Sequence, residues 1–283
     1  MKDFSNIFLL SDMDGTLINS QAEISMINKY ALNEFVNCGG TFAVATGRTL
    51  AGCKPYLNQL PLNAPSIFFN GTILENTQDN SVLKTLSLET TKLFSFLKKC
   101  LHYAPNLSIQ LHTKDKFYII TDKQYDDPII YKENASFIRA KLDDLIKLDI
   151  LKIQIYTPDA EKISWLYKFA ESMKLHHIAK YFTSWASYFE IIPKTASKGI
   201  MLETLRQMPL YQDKIFIAVG DFDNDIEMLL FADLGIAAQN ATDNLKQVAD
   251  LISVSCDDHL LQHIIHNIIP NMDKLMLDSL QTA

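Results

Sequence analysis

The sequence predicts an α/β protein: a Rossmann-like parallel-sheet core with an inserted α+β cap domain. Two observations carry this. Near both ends of the chain, short apolar runs alternate with stretches of helical period, the rhythm of a parallel sheet with helices on its faces. Between residues 85 and 187 the rhythm changes to paired strands followed by helices. Size agrees, because 283 residues are too many for one small domain, and a hydrophobic fraction of 48% can fill two cores.

The elements follow in order. Ile7-Phe8-Leu9-Leu10 reads as a buried strand that ends abruptly in acids. Ser25 can cap a helix running to Asn37, with Ile27, Tyr30, Ala31 and Phe35 on one side and Gly39-Gly40 as its stop. Thr41–Ala45 is a second strand, followed by the turn Thr46-Gly47-Arg48 and a short helix. Ser66–Phe69 is a third strand, closed by the turn dipeptide Asn70-Gly71. The middle of the chain predicts helices at Glu89–Cys100, Asn134–Leu148 and Asp159–Met173, and strands at Leu107–Thr113, Phe117–Thr121, Leu151–Tyr156 and Ala179–Ser184. The first rhythm then returns: a helix from Ser197, a strand at Ile215–Val219, a helix opened by Gly220-Asp221, and a strand at Leu234–Ala237. The expected division is a core of 1–84 and 188–283 around an insertion of 85–187.

Composition limits the function. A formal net charge of -7 with no basic tract argues against nucleic acid or an anionic membrane as partner. The cysteines, Cys38, Cys53, Cys100 and Cys256, have no metal-ligand spacing and read as buried or half-buried thiols in a reducing compartment. No leader-like start and no run of membrane-spanning length is visible, so a cytoplasmic protein is expected.

Four segments carry chemistry. Asp12 and Asp14 stand just past the first strand, at the sheet edge where open α/β folds bind ligands. Bringing two carboxylates together costs free energy unless a cation or proton compensates, and magnesium, which favours oxygen ligands, suits them. Thr46-Gly47-Arg48 offers a hydroxyl and free amides at a helix start, an anion seat. Lys198 opens a helix, where its charge opposes the helix dipole, so it is expected to serve an anion. Gly220-Asp221-Phe222-Asp223-Asn224-Asp225 crowds acids and an amide at another strand end. Each segment alone is explained as a turn or helix cap. Their joint placement on one sheet edge favours a functional site.

Together these segments resemble the four motifs of the haloacid dehalogenase superfamily, and the long insertion resembles the cap of its Cof-type members (subfamily IIB). So do Asn70-Gly71, Gly235-Ile236-Ala237 and Asn240-Ala241. The resemblance implies a phosphatase of small phosphorylated metabolites, with sugar phosphates expected. It implies Asp12 as nucleophile and Asp14 as proton carrier. Magnesium would be held by Asp12, Asp221 and the backbone carbonyl of Asp14. Thr46 and Lys198 would hold phosphoryl oxygens, with Gly47, Arg48 and Asn224 near the substrate, and Thr16 and Asp225 bracing the acids. The insertion is expected to exclude water and read the leaving group. A phosphomutase, or a non-catalytic binder of phosphometabolites on the same fold, are the alternatives.

Other signals have plainer explanations. His259, His263 and His266 recur at near-helical spacing and could ligate zinc, but an ordinary half-exposed helix accounts for them. Trp165 fits the apolar stripe of its helix. Trp185 is a weak candidate for a pocket wall, and Arg139 reads as a surface residue.

Overall fold

The structure is a computed structural model that describes residues 2–132, 136–184 and 186–272. The chain divides into two compact units, 1–84 with 197–283, and 85–196.

The first unit begins with strand β1 (Ile7–Ser11), helix α1 (Met26–Asn37), strand β2 (Thr41–Val44), helix α2 (Leu50–Leu57) and strand β3 (Ser66–Phe68), then β4 (Ile73–Asn76) and β5 (Ser81–Thr85). The second unit runs α3 (Thr90–Tyr103), β6 (Ser108–His112), β7 (Phe117–Ile119), α4 (Pro128–Lys132), β8 (Ile138–Arg139), β9 (Lys152–Tyr156), α5 (Ala160–Ser172), β10 (Ala179–Ser184) and β11 (Tyr188–Pro193). The first unit resumes with α6 (Lys198–Arg206), β12 (Ile215–Gly220), α7 (Ile226–Phe231), β13 (Leu234–Ala237), α8 (Asp243–Val248), β14 (Leu251–Ile252) and α9 (Leu260–His263).

The first unit's main sheet has the order β14-β13-β12-β1-β2, all parallel. Its central strands read IFLLS and IFIAVG because both faces are covered by helices, which leaves no polar alternation. From β1 the chain moves outward to β2 on one side. The later strands β12 to β14 extend the other side. The order therefore reverses between β1 and β12, the place where an open α/β sheet leaves a crevice at its carboxyl edge. In register, Ser11 lies beside Val44 on one neighbour and Val219 on the other. The residues that follow these three strands are thus delivered to one edge. Strand β3 joins through a bridge from Ala45 to Ile67 and turns back into antiparallel β4 within a β3-β4-β5 sheet.

Helix α1 starts as expected, with the Ser25 hydroxyl accepting from the Asn28 amide, but its buried face is Asn28, Ala31, Leu32 and Phe35. Of the expected face, Ala31 and Phe35 are buried, but Ile27 and Tyr30 are exposed, and Asn28 and Leu32 take their place. The reason is Asn28, whose side-chain oxygen accepts from the Gln262 amide at 3.0 Å and turns that face inward.

In the second unit a six-stranded sheet of order β10-β11-β9-β6-β7-β8 packs its apolar face on α3 and α5. Ile109, Leu111, Ile153, Ile155, Phe189 and Ile191 meet Phe96, Leu97, Leu166 and Ala170 there. The opposite face buries a Lys152–Glu190 ion pair at 2.7 Å. The unit ends at Ala196 instead of 187, because Tyr188–Pro193 is a strand paired between β10 and β9. The expected helix over Asn134–Leu148 is absent from its described part. A short strand at Ile138–Arg139 and a single 3₁₀ turn at Leu142–Leu145 stand there instead. No helix among the described residues is long and apolar enough to cross a membrane.

Candidate active site

Strand β1 carries the chain into the crevice, and the Asp12 amide continues the ladder by donating to the Val219 carbonyl at 2.8 Å. Asp12 is buried. The loop then turns through Gly15, whose φ of 72° lies in the left-handed region. A β-carbon at this position would also sit 2.3 Å from Oδ2 of Asp221, so glycine is needed twice over. Thr16 follows, and its hydroxyl donates to Oδ1 of Asp221 at 3.0 Å. The two acidic strand ends are therefore tied together.

Lys198 lies at the start of α6, where the Ser197 hydroxyl caps the helix by accepting from the Ile200 amide. Its side chain is wholly buried, and Nζ donates to Oδ1 of Asp12 and to Oδ1 of Asp225, each at 2.6 Å. The other oxygen of Asp225 accepts from the backbone amides of Asp221 and Phe222 at 3.0 and 3.2 Å. Asp225 thus fixes the loop after β12 and the lysine at once.

Oxygens of Asp12, Asp221 and Asp225 lie within 4.8 Å of one another. One ammonium faces three carboxylates, and the local charge is unbalanced. Burial pushes the Asp12 carboxyl well above the usual carboxylate range; Lys198 opposes this, while the charges of Asp225 and Asp221 add to it. Burial, followed by the charge of Asp225, pushes Asp221 up to about 6. Burial alone would pull the Lys198 ammonium down, but the charges of Asp12 and Asp225 outweigh it and hold the proton more firmly than usual. A hard divalent cation with oxygen ligands fits this cluster, since it would cancel the excess negative charge that burial makes costly.

Asp14 is turned elsewhere. Its two carboxylate oxygens accept from Nε and Nη2 of Arg48 at 2.7 and 2.6 Å. This hydrogen bonding with Asp14 holds the Arg48 proton more firmly than usual. The guanidinium also lies 5.0 Å from the Tyr56 ring centre. Any contact of Asp14 with a cation beside Asp12 would come from its backbone.

Thr46 is buried one residue past the Ala45–Ile67 bridge, and its hydroxyl accepts from the Arg48 amide at 3.1 Å. Gly47 packs on the side chain of Asn70, and Asn224 donates from Nδ2 to Oδ1 of Asn70 at 2.9 Å. Asn70 and Asn240 are the residues whose place in the site the sequence did not declare. Asn70-Gly71 reads as a turn dipeptide that resembles a Cof-type segment, with no role for the Asn70 side chain. Asn240 donates to the Gly15 carbonyl and accepts from the Cys256 amide, a brace legible only in three dimensions.

The remaining candidates separate. His259, His263 and His266 face Ser25, Ser253 and Glu34 respectively, three different partners. Arg139 pairs with Asp126 and donates to the Thr121 carbonyl. Trp165 stacks on Phe169 at 5.0 Å against the second unit's core. Trp185 lies outside the described residues.

Comparison with known proteins adds the family context. A family model described as haloacid dehalogenase-like hydrolase matches residues 9–265. The chain is 31% identical over 267 residues to "Endoribonuclease YBEY, chloroplastic" of Arabidopsis thaliana, covering 90% of this chain and 44% of that protein, so it spans less than half of that relative. It is 24% identical over 245 residues to the 5-amino-6-(5-phospho-D-ribitylamino)uracil phosphatase YitU of Bacillus subtilis, covering 84% of this chain and 88% of that one. A solved haloacid dehalogenase-like hydrolase from Bacteroides thetaiotaomicron is similar with a TM-score of 0.79 at 25% identity, over 93% of this chain and 99% of that one.

Proposed function

The chain belongs to the haloacid dehalogenase-like hydrolases and is a phosphatase; from that premise we propose that it is magnesium-dependent and hydrolyses small phosphorylated metabolites, sugar phosphates above all, through an aspartyl-phosphate on Asp12. The observation that carries this is the buried Asp12 carboxylate, fixed by Lys198 beside Asp221 and Asp225 at the switch point of the sheet. The relative named for a phosphoribitylamino compound supports a polyhydroxylated leaving group.

An oxygen of Asp12 attacks phosphorus, the bond to the leaving oxygen breaks, and Asp14, protonated on one oxygen while Arg48 keeps its hold on the other, gives the leaving oxygen that proton. Asp14 then takes a proton from water as the water oxygen bonds to phosphorus and the bond to Asp12 breaks, which returns the free carboxylate and inorganic phosphate. Lys198 holds Asp12 in place, and with Thr46 it meets the equatorial phosphoryl oxygens where charge collects. Gly47, whose missing side chain leaves room for Asn70, borders the substrate with Arg48 and Asn224. Thr16 and Asp225 keep Asp221 and Lys198 oriented. Magnesium, held by Asp12, Asp221 and the backbone carbonyl of Asp14, would neutralise the phosphate's charge as it meets the acids.

A nucleic-acid or membrane partner is not part of this reading. We place the protein in the cytoplasm, in keeping with free Cys53, Cys100 and Cys256 buried in the fold. The test is a screen of phosphorylated metabolites with and without magnesium. Sustained release of inorganic phosphate, dependent on the metal and needing no second acceptor, is the expected result. Transfer to a second acceptor would mark a phosphomutase. No turnover on any phosphomonoester would mark a binding protein.

A further inference from the structure

Three consecutive residues after β3 have left-handed backbones: Phe69, Asn70 and Gly71, with φ of 52°, 56° and 91°. A glycine accepts this freely, but two non-glycine residues in a row store strain that the surroundings must enforce. The surroundings are three of the four chemical segments. The Phe69 and Asn70 amides donate to the carbonyls of Arg48 and Thr46 at 3.1 and 2.9 Å. A β-carbon on Gly71 would lie 2.1 Å from the Ser197 carbonyl, so this turn presses against the start of α6 just before Lys198. The Asn70 side chain accepts from Asn224 at 2.9 Å, and a β-carbon on Gly47 would meet its amide at 2.8 Å. The remaining polar atom of Asn224, Oδ1, is buried with no hydrogen-bond partner among the described residues. A buried acceptor left open at such a place fits a donor brought by ligand or water.

We infer that Asn70 is a positioning residue of the phosphoryl site, acting through Asn224: it fixes the Asn224 amide and seats the Thr46-Gly47 backbone against it. The hydrogen bond to Asn70 fixes the Asn224 amide and leaves its oxygen open for a hydroxyl or water accompanying the phosphoryl group. The inference rests on the phosphatase mechanism above, in which Thr46 and Asn224 border the substrate. The backbone strain is then the means by which a short turn reaches three segments at once.

The test is a double-mutant cycle of Asn70→Gly and Asn224→Ala. Glycine keeps the left-handed backbone and removes only the side chain. Two quantities are read in the intact chain with magnesium: kcat/KM for p-nitrophenyl phosphate, and the Kd of orthovanadate by calorimetry. Asn224→Ala should weaken both by about tenfold in the natural background and by less than about twofold in the Asn70→Gly background. Equal factors in the two backgrounds overturn the inference. Should Asn70→Gly lower the melting temperature, Asn70→Asp takes its place; it tolerates the same conformation and keeps an acceptor, so there the Asn224→Ala effect should stay at full size. An effect that collapses in the aspartate background also overturns it. Coupling seen in vanadate binding without any hydrolysis would sustain the inference and count against the phosphatase mechanism alone.

Discussion

Arg48 grips Asp14 with two parallel hydrogen bonds, Nε to Oδ2 at 2.7 Å and Nη2 to Oδ1 at 2.6 Å. A planar fork meeting both carboxylate oxygens fixes direction as well as charge, and lysine cannot copy it. Arg48→Lys should therefore misplace the proton carrier. Turnover of alkyl phosphates, whose leaving oxygen needs a proton, should fall by roughly 10- to 100-fold. Turnover of p-nitrophenyl phosphate, whose leaving group departs as an anion, should fall much less. Steady-state kinetics on the two substrate types measures the difference.

Lys198 is the ammonium within the acid cluster, fully buried between Asp12 and Asp225. Replacing it by methionine keeps much of the volume and leaves the carboxylates uncompensated. Removing one partner of a buried ion pair costs about 3–5 kcal/mol. Denaturant unfolding of Lys198→Met without metal should show a loss of that order, and magnesium should recover part of it.

The acids also set a pH dependence. In the unfolded chain an aspartate titrates near ~3.9; in the fold Asp221 is pushed up to about 6, first by burial and then by Asp225, and Asp12 moves in the same direction. Between these values the folded chain holds more protons than the unfolded one, so this contribution to stability falls as pH rises through the window. A divalent cation that binds the ionised cluster reverses the loss. Melting temperatures taken at about pH 5 and about pH 7 should show a larger gain from magnesium at the higher pH, and Asp221→Asn should shrink the difference.

Gly15 should tolerate no side chain. Gly15→Ala places a β-carbon 2.3 Å from Asp221 on a backbone with φ 72°. The aspartate must move, so magnesium affinity measured by calorimetry should fall by about tenfold or more, in the range seen when residues supporting a metal ligand are lost.

The core was legible where one local signal decided the element. Ile7–Leu10 and Ile215–Val219 could only be buried strands, and the acids at their ends followed the strands to one edge. Ser25 caps its helix as expected, and the helices expected to start at Asp159 and Ser197 are capped by those two side chains. What failed depended on partners far along the chain. The buried face of α1 is set by Gln262, more than two hundred residues away, and nothing near Asn28 announces it. Tyr188–Pro193 is a short, mostly apolar run broken by Glu190, and only its pairing with β9 and β10 assigns it to the second unit. The site was legible in its acids and its lysine, whose chemistry is unusual at those positions. The resemblance pointed to Asn70-Gly71, but nothing in a turn dipeptide tells what the Asn70 amide touches.

The central claim is that Asp12 takes the phosphoryl group. It is tested by rapid acid quench during turnover, followed by peptide mapping by mass spectrometry. Phosphate on the peptide carrying Asp12, absent from an Asp12→Asn variant that still folds and binds orthovanadate but no longer turns over, is the result expected. Phosphate trapped on another residue, or an Asp12→Asn protein that hydrolyses at the natural rate, would contradict it.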